Sequence, residues 1–147
     1  MNNYPSWWNS TITVYNKNVD SVTNLVKWYR TVLSGCFYKN VGNKVKIGNN
    51  VLESDDIICR IPIQANYLAP KPWKDLSNID RDDYFTLQGG DIVVFGEVED
   101  EIDEYTAGKR ANDLLKKYVS TGCLTITQVA DNTGGGRGQE HYYVKGV

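Results

Sequence analysis

The sequence predicts an α+β protein: a small β-barrel or sandwich-like domain with one amphipathic helix at about residues 106–120. Three observations predict this class. Short segments with alternating apolar and polar residues fill most of the chain, tight-turn residues separate them, and one stretch has helical periodicity. The length of 147 residues is typical of one domain. We predict a single β-rich domain over residues 1–147, with an N-terminal arm at 1–9 and a long loop at 64–83.

The predicted strands are rich in β-branched and aromatic residues; some alternate apolar and polar residues, and IICRIPI and IVVF are apolar runs expected to be buried. The strands are STITVY (10–15), LVKWYRTVL (25–33), IICRIPI (57–63), IVVF (92–95), LTITQV (124–129) and EHYYVKGV (140–147). Residues 25–33 also allow a helix, but their aromatic and β-branched content favours a strand. Pro62 requires an edge or the end of a strand, because proline cannot donate a ladder hydrogen bond.

Glycines predict two turns between these strands. Gly48 and the asparagines after it supply the left-handed positions of a hairpin in VKIGNNVL (45–52). In FTLQGGDIVVFGEVEDEI (85–102), Gly89-Gly90 is predicted to turn a hairpin between two apolar runs. Gly96 then predicts a bulge or a close approach of another backbone.

Residues 106–120 (TAGKRANDLLKKYVS) are the predicted helix, with Thr106 as its N-cap and Gly122 at its stop. Apolar residues recur at helical spacing and form one stripe: Ala107, Ala111, Leu114, Leu115, Tyr118 and Val119. Charges fit the helix dipole at both ends: Asp103, Glu104, Lys116 and Lys117. The loop at 64–83 lacks periodicity apart from a helical turn expected near 75–79, and loops of this length often serve binding or interfaces.

Composition argues against several functional classes. The net charge of −2 and the pI near 5.4 give no general attraction to nucleic acid or membranes. Cys36, Cys59 and Cys123 form no CxxC pair and only His141 could assist them, so a zinc centre is disfavoured and reduced, buried thiols are expected. No secretory signal and no membrane-spanning run is visible, so we expect a soluble protein made in the cytosol.

The glycine-rich segments do not match a nucleotide-binding loop. Gly89-Gly90 precedes Asp91 and a strand, so no helix N-terminus would face a phosphate. The segment at 134–138, which contains Arg137, lies between two predicted strands. It could hold a phosphate, but a mobile hairpin tip is the favoured interpretation.

Acidic residues are concentrated before the helix: Glu97, Glu99, Asp100, Glu101, Asp103 and Glu104. A solvated turn between strand and helix is favoured over a metal site, because acids suit a helix N-terminus. An acidic patch that docks on a basic surface of a neighbouring subunit is the remaining alternative. His141 has no nucleophile or orienting partner nearby in sequence, so we predict no catalytic residues, no cofactor and no enzyme activity.

The pair Trp7-Trp8 lies in a polar N-terminal segment. Ordering a terminus costs entropy, so two tryptophans there are expected to dock on something. The partner is either the core of the same chain or an adjacent copy, and the sequence leaves both open.

Several of these segments together resemble a group of small proteins encoded in phages, prophages and phage-tail-like particles of Gram-positive bacteria, among the neck and tail genes. The segments that carry the resemblance are WWNSTITVYNK, VKWYRTVLSGCFY, IICRIPI, the Tyr67–Pro70–Trp73 loop, FTLQGGDIVVFGEV, the helix and HYYVKGV. The "GD-apolar-apolar-x-G" strand is also similar to head-to-tail connector proteins, whose β-barrel subunits close into rings.

The resemblance implies a structural subunit of a neck, collar or tail-terminating ring, assembled in the bacterial cytoplasm and then part of the virion or tail-like particle. The implied partners are other copies of the chain in a ring, hexameric by analogy, and adjacent tail-tube, sheath or neck proteins. No membrane and no small-molecule substrate are implied. The candidate interface residues are Trp7, Trp8, Tyr67, Trp73, Glu97, Glu99, Asp100, Glu101, Lys109, Arg110, Lys116, Lys117 and Arg137.

The alternative function is a monomeric β-barrel module that binds a peptide, a glycan or a single nucleic-acid strand through exposed aromatic residues. In the sequence, basic residues are not concentrated beside the aromatic ones, which argues against this alternative.

Overall fold

In the part of the chain that the structure describes, six antiparallel strands form a closed barrel with three short helices. This confirms the predicted small β-barrel, whereas the sequence predicts only one helix. The computed structural model describes residues 4–48, 50–134 and 139–147, and at 41–47 and 50–55 it describes the main chain only. The strands follow one another around the barrel in the order β1-β2-β3-β6-β5-β4. Their bounds are β1 Ser10–Val19, β2 Val26–Ile47, β3 Asn50–Pro62, β4 Ile92–Phe95, β5 Cys123–Asn132 and β6 His141–Gly146. The helices are α1 Pro70–Lys74, α2 Asn78–Arg81 and α3 Ala111–Tyr118.

The barrel interior is an apolar core supplied by every strand and by residues 85–87. Alternation along the strands decides which side chains enter it, so Cys59 and Ile61 are buried while Arg60 between them is partly exposed. Pro62 is the last residue of β3 and pairs with His141, which agrees with the predicted strand end. Gly146 of β6 permits a close approach of β5: a Cβ there would lie 2.2 Å from the carbonyl oxygen of Thr125.

A second apolar cluster lies between the outer surface of β1, β2 and β4 and the segment that ends in α3. Its buried members are Tyr15, Trp28, Ile92, Val94, Ile102 and Leu114. The Tyr15 hydroxyl donates to the carbonyl oxygen of Asp100 at 2.7 Å, and Trp28 Nε1 donates to Glu104 Oε1 at 3.1 Å. Residues 97–118 therefore cover this side of the barrel.

Helix α3 is shorter than predicted, and Thr106 is not its N-cap. Gly108 has a φ of +84°, which breaks the helical backbone before residue 111, and the Thr106 hydroxyl is bound to Asp103 Oδ2. Glu104 instead accepts from the first helical N–H, that of Ala111, at 3.0 Å. The predicted stripe holds for the four residues of the observed helix, whereas Ala107 and Val119 are exposed and lie outside it.

The predicted hairpin at Gly89-Gly90 is wrong, although the turn itself is present. Gly90 has a φ of +92°, but residues 85–87 form no strand with β4, and Phe85 has only an isolated parallel bridge to Tyr67. The reason lies in the buried Asp91 carboxylate, which accepts from Asn16 Nδ2 at 2.8 Å and from the Lys17 amide at 3.0 Å. These bonds hold the turn against β1 rather than in a ladder.

The loop at 64–83 contains two short helices, α1 and α2, where the sequence indicated one helical turn. Arg81 is buried between them: it donates to the carbonyl oxygens of Trp73 and Lys74 and to Asn78 Oδ1. The ring of Trp73 is fully buried against Tyr29, with ring centroids 5.4 Å apart. The loop is thus a folded cap rather than an extended arm.

Strands β2 and β3 continue beyond the barrel as a two-stranded projection. Residues 41–47 pair with residues 50–56, and among the strand pairs of the described residues neither stretch has another partner. A rise of about 3.4 Å per residue makes this projection about 24 Å long. We call residues 41–56 the β2–β3 ribbon. The predicted hairpin at 45–52 is confirmed as its tip, with Gly48 at a φ of +61°.

Candidate functional site

A row of aromatic and basic side chains crosses the outer surface of β2, β3 and β6. Phe37 pairs with Arg60, and Arg60 pairs with Tyr143 on the next strand. The Arg60 guanidinium lies 5.7 Å from the Phe37 ring centroid and 5.4 Å from the Tyr143 ring centroid. Both distances are within cation–π range. We call Phe37, Arg60 and Tyr143, together with Trp7, the aromatic face.

The N-terminal segment docks on this surface. Trp8 is buried and packs edge-on against His141 with ring centroids 5.3 Å apart, while Tyr4 stacks on Trp8 at 5.4 Å. The Tyr4 hydroxyl donates to the carbonyl oxygen of Glu140 at 2.5 Å. Trp8 therefore docks on its own chain, which was one of the two alternatives.

Trp7 differs from its neighbour. It remains 59% exposed and touches Phe37 edge-on, with ring centroids 5.2 Å apart. One of the two tryptophans thus holds the segment in place and the other extends the aromatic face toward solvent.

Basic residues do lie beside these aromatic rings, contrary to the sequence-based argument. Arg60 stands between two of them, and Lys145 is two residues from Tyr143 on the same side of β6. Lys145 Nζ also forms an ion pair with Asp56 Oδ2 at 3.4 Å, at the base of the ribbon. The sequence did not predict this arrangement, because these residues are far apart in the chain and only the pairing of β2, β3 and β6 brings them together.

The acidic and basic interface candidates lie together in one chain. A groove of about 310 Å³ between the acidic segment and α3 is lined by both signs of charge: Glu99, Asp100, Glu101, Lys109, Arg110 and Lys117. Lys117 Nζ donates to Asp100 Oδ2 at 2.7 Å, and the Tyr118 hydroxyl donates to Asp100 Oδ1 at 2.5 Å. These two hydrogen bonds lower the pKa of the Asp100 carboxyl below its usual range. The acids and bases of this groove can therefore partly neutralise one another within a single copy.

The remaining candidates differ in accessibility. Trp73 is a core residue, so the prediction that it contacts another subunit is corrected: its Nε1 donates to the Tyr84 carbonyl oxygen at 3.2 Å inside the cap. Tyr67 is partly buried and packs on Phe85 and Tyr142. Glu97 and Lys116 are exposed. Arg137 lies outside the described residues.

The described residues contain no group of three or more His, Cys, Asp or Glu side chains that could hold a metal ion. The three cysteines are free, and burial raises the pKa of the Cys36 thiol to about 12. His141 is half-buried, with Nδ1 2.9 Å from the carbonyl oxygen of Gln139. Within the part of the chain described, no helix has the length and apolar character required to cross a bilayer.

Comparison with known proteins gives one match. A family model described as a family of unknown function (DUF6751) matches residues 7–147. The chain belongs to this family. No curated protein and no solved structure matches. The matched span begins at Trp7 and covers the barrel, the ribbon and the aromatic face, so these features lie within the family's domain.

Sequence reasoning missed Phe37, Arg60 and Tyr143. Each has the parity that places it on the outer side of its strand, so alternation alone could have identified the outward positions. The lateral alignment of the three strands is non-local and does not follow from alternation.

Proposed function

We propose that this protein is a structural subunit of a phage or phage-tail-like particle, in which it forms part of a neck, collar or tail-terminating ring. In this proposal the chain is made in the bacterial cytoplasm and contacts other copies of itself and adjacent neck or tail proteins. The observation that carries the proposal is the β2–β3 ribbon, which extends about 24 Å beyond a closed barrel.

The ribbon supports an assembly role for an energetic reason. A two-stranded ribbon is marginally stable in water when it has no third strand or packed face. Unpaired strand edges also invite pairing with another chain, and natural proteins usually keep them short or covered. A projection of this length is therefore consistent with a partner that completes it.

The sequence resemblance to neck and tail proteins indicates which kind of partner would complete the ribbon. Subunits that close into a ring meet through two different patches, one on each side. The aromatic face, on β2, β3 and β6, and the charged groove beside α3 are two chemically different surfaces that could serve this purpose. Trp7 is the candidate interface residue that belongs to the aromatic face, and it is the most exposed of the described tryptophans.

The experiment that tests this function measures mass by light scattering, for the purified chain alone and after mixing with particles that lack it. We expect the chain to enter the particles at a fixed number of copies, and Trp7→Ser to weaken incorporation. Val22→Ser is the matched control, because Val22 is 87% exposed and lies between β1 and β2, outside the ribbon, the aromatic face and the charged groove. A chain that remains monomeric and never enters the particles would contradict the proposal.

One observation favours the alternative, a binding module for single-stranded nucleic acid. Arg60 between Phe37 and Tyr143 combines a cation with two rings, which is the chemistry that stacks bases and neutralises phosphates. If this function holds, a labelled oligonucleotide binds with an affinity that falls as salt rises. Tyr143→Ser would weaken that binding by roughly tenfold, the scale of one base–aromatic contact, whereas Val22→Ser would not. Binding that is absent at low salt would exclude this alternative.

A further inference from the structure

The β2–β3 ribbon has two edges of different sequence, and among the described strands neither edge pairs with a third strand. In the barrel, β1 pairs with residues 26–36 of β2 and β6 pairs with residues 57–62 of β3, so both neighbours end before the ribbon begins. Within the described strands, residues 41–47 and 50–56 pair only with each other. One edge of the ribbon is thus the backbone of β2 and the other is the backbone of β3.

The two halves of the ribbon carry opposite charge in the sequence. The β2 half, VGNKVKI, contains Lys44 and Lys46, and the β3 half, NVLESDD, contains Glu53 and Asp55. Asp56, the last acidic residue of the β3 half, forms an ion pair with Lys145 of the barrel. One edge strand is therefore basic and the other is acidic.

These charges discriminate between the possible edge-to-edge pairings of two copies. Pairing β2 with β2 brings lysines together, and pairing β3 with β3 brings acids together, and like charges on paired strands are destabilising. Pairing the β2 edge of one copy with the β3 edge of the next brings opposite charges together. It is also antiparallel when all ribbons point the same way, because β2 runs outward and β3 runs back in every copy.

We propose that the ribbons of neighbouring copies join edge to edge, β2 of one copy to β3 of the next, into one continuous antiparallel sheet. This inference rests on the proposed ring role and specifies its contact. The pairing is heterologous, so each copy uses one edge on each side, and rotation about a common axis closes the sheet into a ring with two strands per subunit. Closure leaves no strand edge unpaired.

Charge reversal tests the pairing with the purified chain alone. The variant Lys44→Glu/Lys46→Glu has two acidic edges, and Glu53→Lys/Asp55→Lys has two basic edges. We expect wild-type protein to assemble as its concentration rises, and each variant alone to need roughly tenfold or higher concentration, the scale expected from two reversed cross-strand pairs. Sedimentation velocity or mass photometry measures the assembled fraction.

Mixing the two variants separates pairing between copies from stability within one ribbon. Lys44 is opposite Glu53 in the main-chain register of a single ribbon, so either variant also places two like charges at opposed positions within its own ribbon, and mixing cannot remove that effect. An acidic ribbon beside a basic one can pair on both edges, so an equimolar mixture is expected to assemble near the wild-type concentration. The control with all four substitutions exchanges the two edges and is expected to behave as wild type.

Three results would overturn the inference: wild-type protein that stays monomeric at every accessible concentration, single-sign variants that assemble as wild type does, or a mixture that stays unassembled. Equal thermal unfolding of all variants would confirm that the barrel is intact. Because no particle is present, this experiment can fail while the chain still enters particles. The failure of ribbon pairing is therefore distinguishable from failure of the structural role.

Discussion

The barrel and the ribbon use the same two strands, β2 and β3, but they satisfy the backbone differently. Within the barrel each strand has a neighbour on both sides, and the apolar side chains point into a shared core. Among the described strands, the main chain of residues 41–47 pairs with that of residues 50–56, and neither stretch pairs with a third strand. One hairpin is thus anchored by barrel closure at its base, while its tip has backbone edges with which another strand can pair.

The strongest way to break the barrel is to fill the space beside Gly146. A Cβ there would lie 2.2 Å from the Thr125 carbonyl oxygen and 2.7 Å from Leu124 Cδ1. We expect Gly146→Ala to lower the free energy of unfolding by more than about 3 kcal/mol, because the strands must separate to admit the methyl group. Gly134→Ala is the control, since no described residue has an atom within 4 Å of its Cβ position, and it should change stability by less than about 0.5 kcal/mol. Denaturant titration measures both, and equal effects would contradict this packing.

The two N-terminal tryptophans should differ in the same measurement. Trp8→Ala removes a buried ring that packs on His141 and Tyr4, and should cost about 3 kcal/mol. Trp7→Ala removes an exposed ring and should cost less than about 1 kcal/mol. A larger effect at Trp7 than at Trp8 would show that the segment is held differently.

Asp91 should give the barrel a distinctive pH dependence. Burial raises the pKa of its carboxyl to about 6, against 3.8 when unfolded, despite hydrogen bonds from Lys17 and Asn16. Its contribution to stability is therefore fully present below pH 3.8 and is lost as pH rises through about 6. This amounts to about 2 kcal/mol, allowing for relaxation of the site.

Comparison with Asp91→Asn isolates that contribution. The asparagine variant does not titrate, so the difference in unfolding free energy between it and wild type should change between pH 4 and pH 7, in the direction that disfavours wild type at the higher pH. A difference that is constant across this range would show that the carboxyl is not shifted. Urea titrations at several pH values provide the data.

The smallest effect is expected from shortening the ribbon. Replacing residues 43–54 with Asn-Gly joins the Gly42–Asp55 pair through a two-residue turn and removes no barrel contact. The unfolding free energy should change by less than about 0.5 kcal/mol, whereas assembly should be abolished. Loss of barrel stability comparable to that of Gly146→Ala would contradict the separation of the two regions.

Local patterns predicted most of the fold. Alternation or a short apolar run located part of each described strand, and Gly48 located the tip of the ribbon, because these features depend on neighbouring residues. The errors occurred where a tertiary contact overrides a local preference. The Asp91 carboxylate accepts a hydrogen bond from β1, which prevents the expected hairpin. Gly108 has a positive φ, so the helix begins only at residue 111.

The candidate surfaces were less predictable than the fold. Exposure of Trp7 and burial of Trp73 could not be separated by residue type, because both are tryptophans in polar segments. The aromatic face depends on the register among β2, β3 and β6, which are distant in sequence. The length of the ribbon likewise depends on where β1 and β6 end relative to their partners.

Amide hydrogen exchange, compared between the free and the assembled chain, tests the division between barrel and ribbon most directly. In the free chain, amides of residues 41–56 should exchange much faster than those of β1 and β4, because the ribbon can open locally without unfolding the barrel. On assembly, protection should rise in the ribbon and stay nearly constant in the barrel. Ribbon amides that are already protected in the free chain, or that stay unprotected in the assembly, would contradict the account.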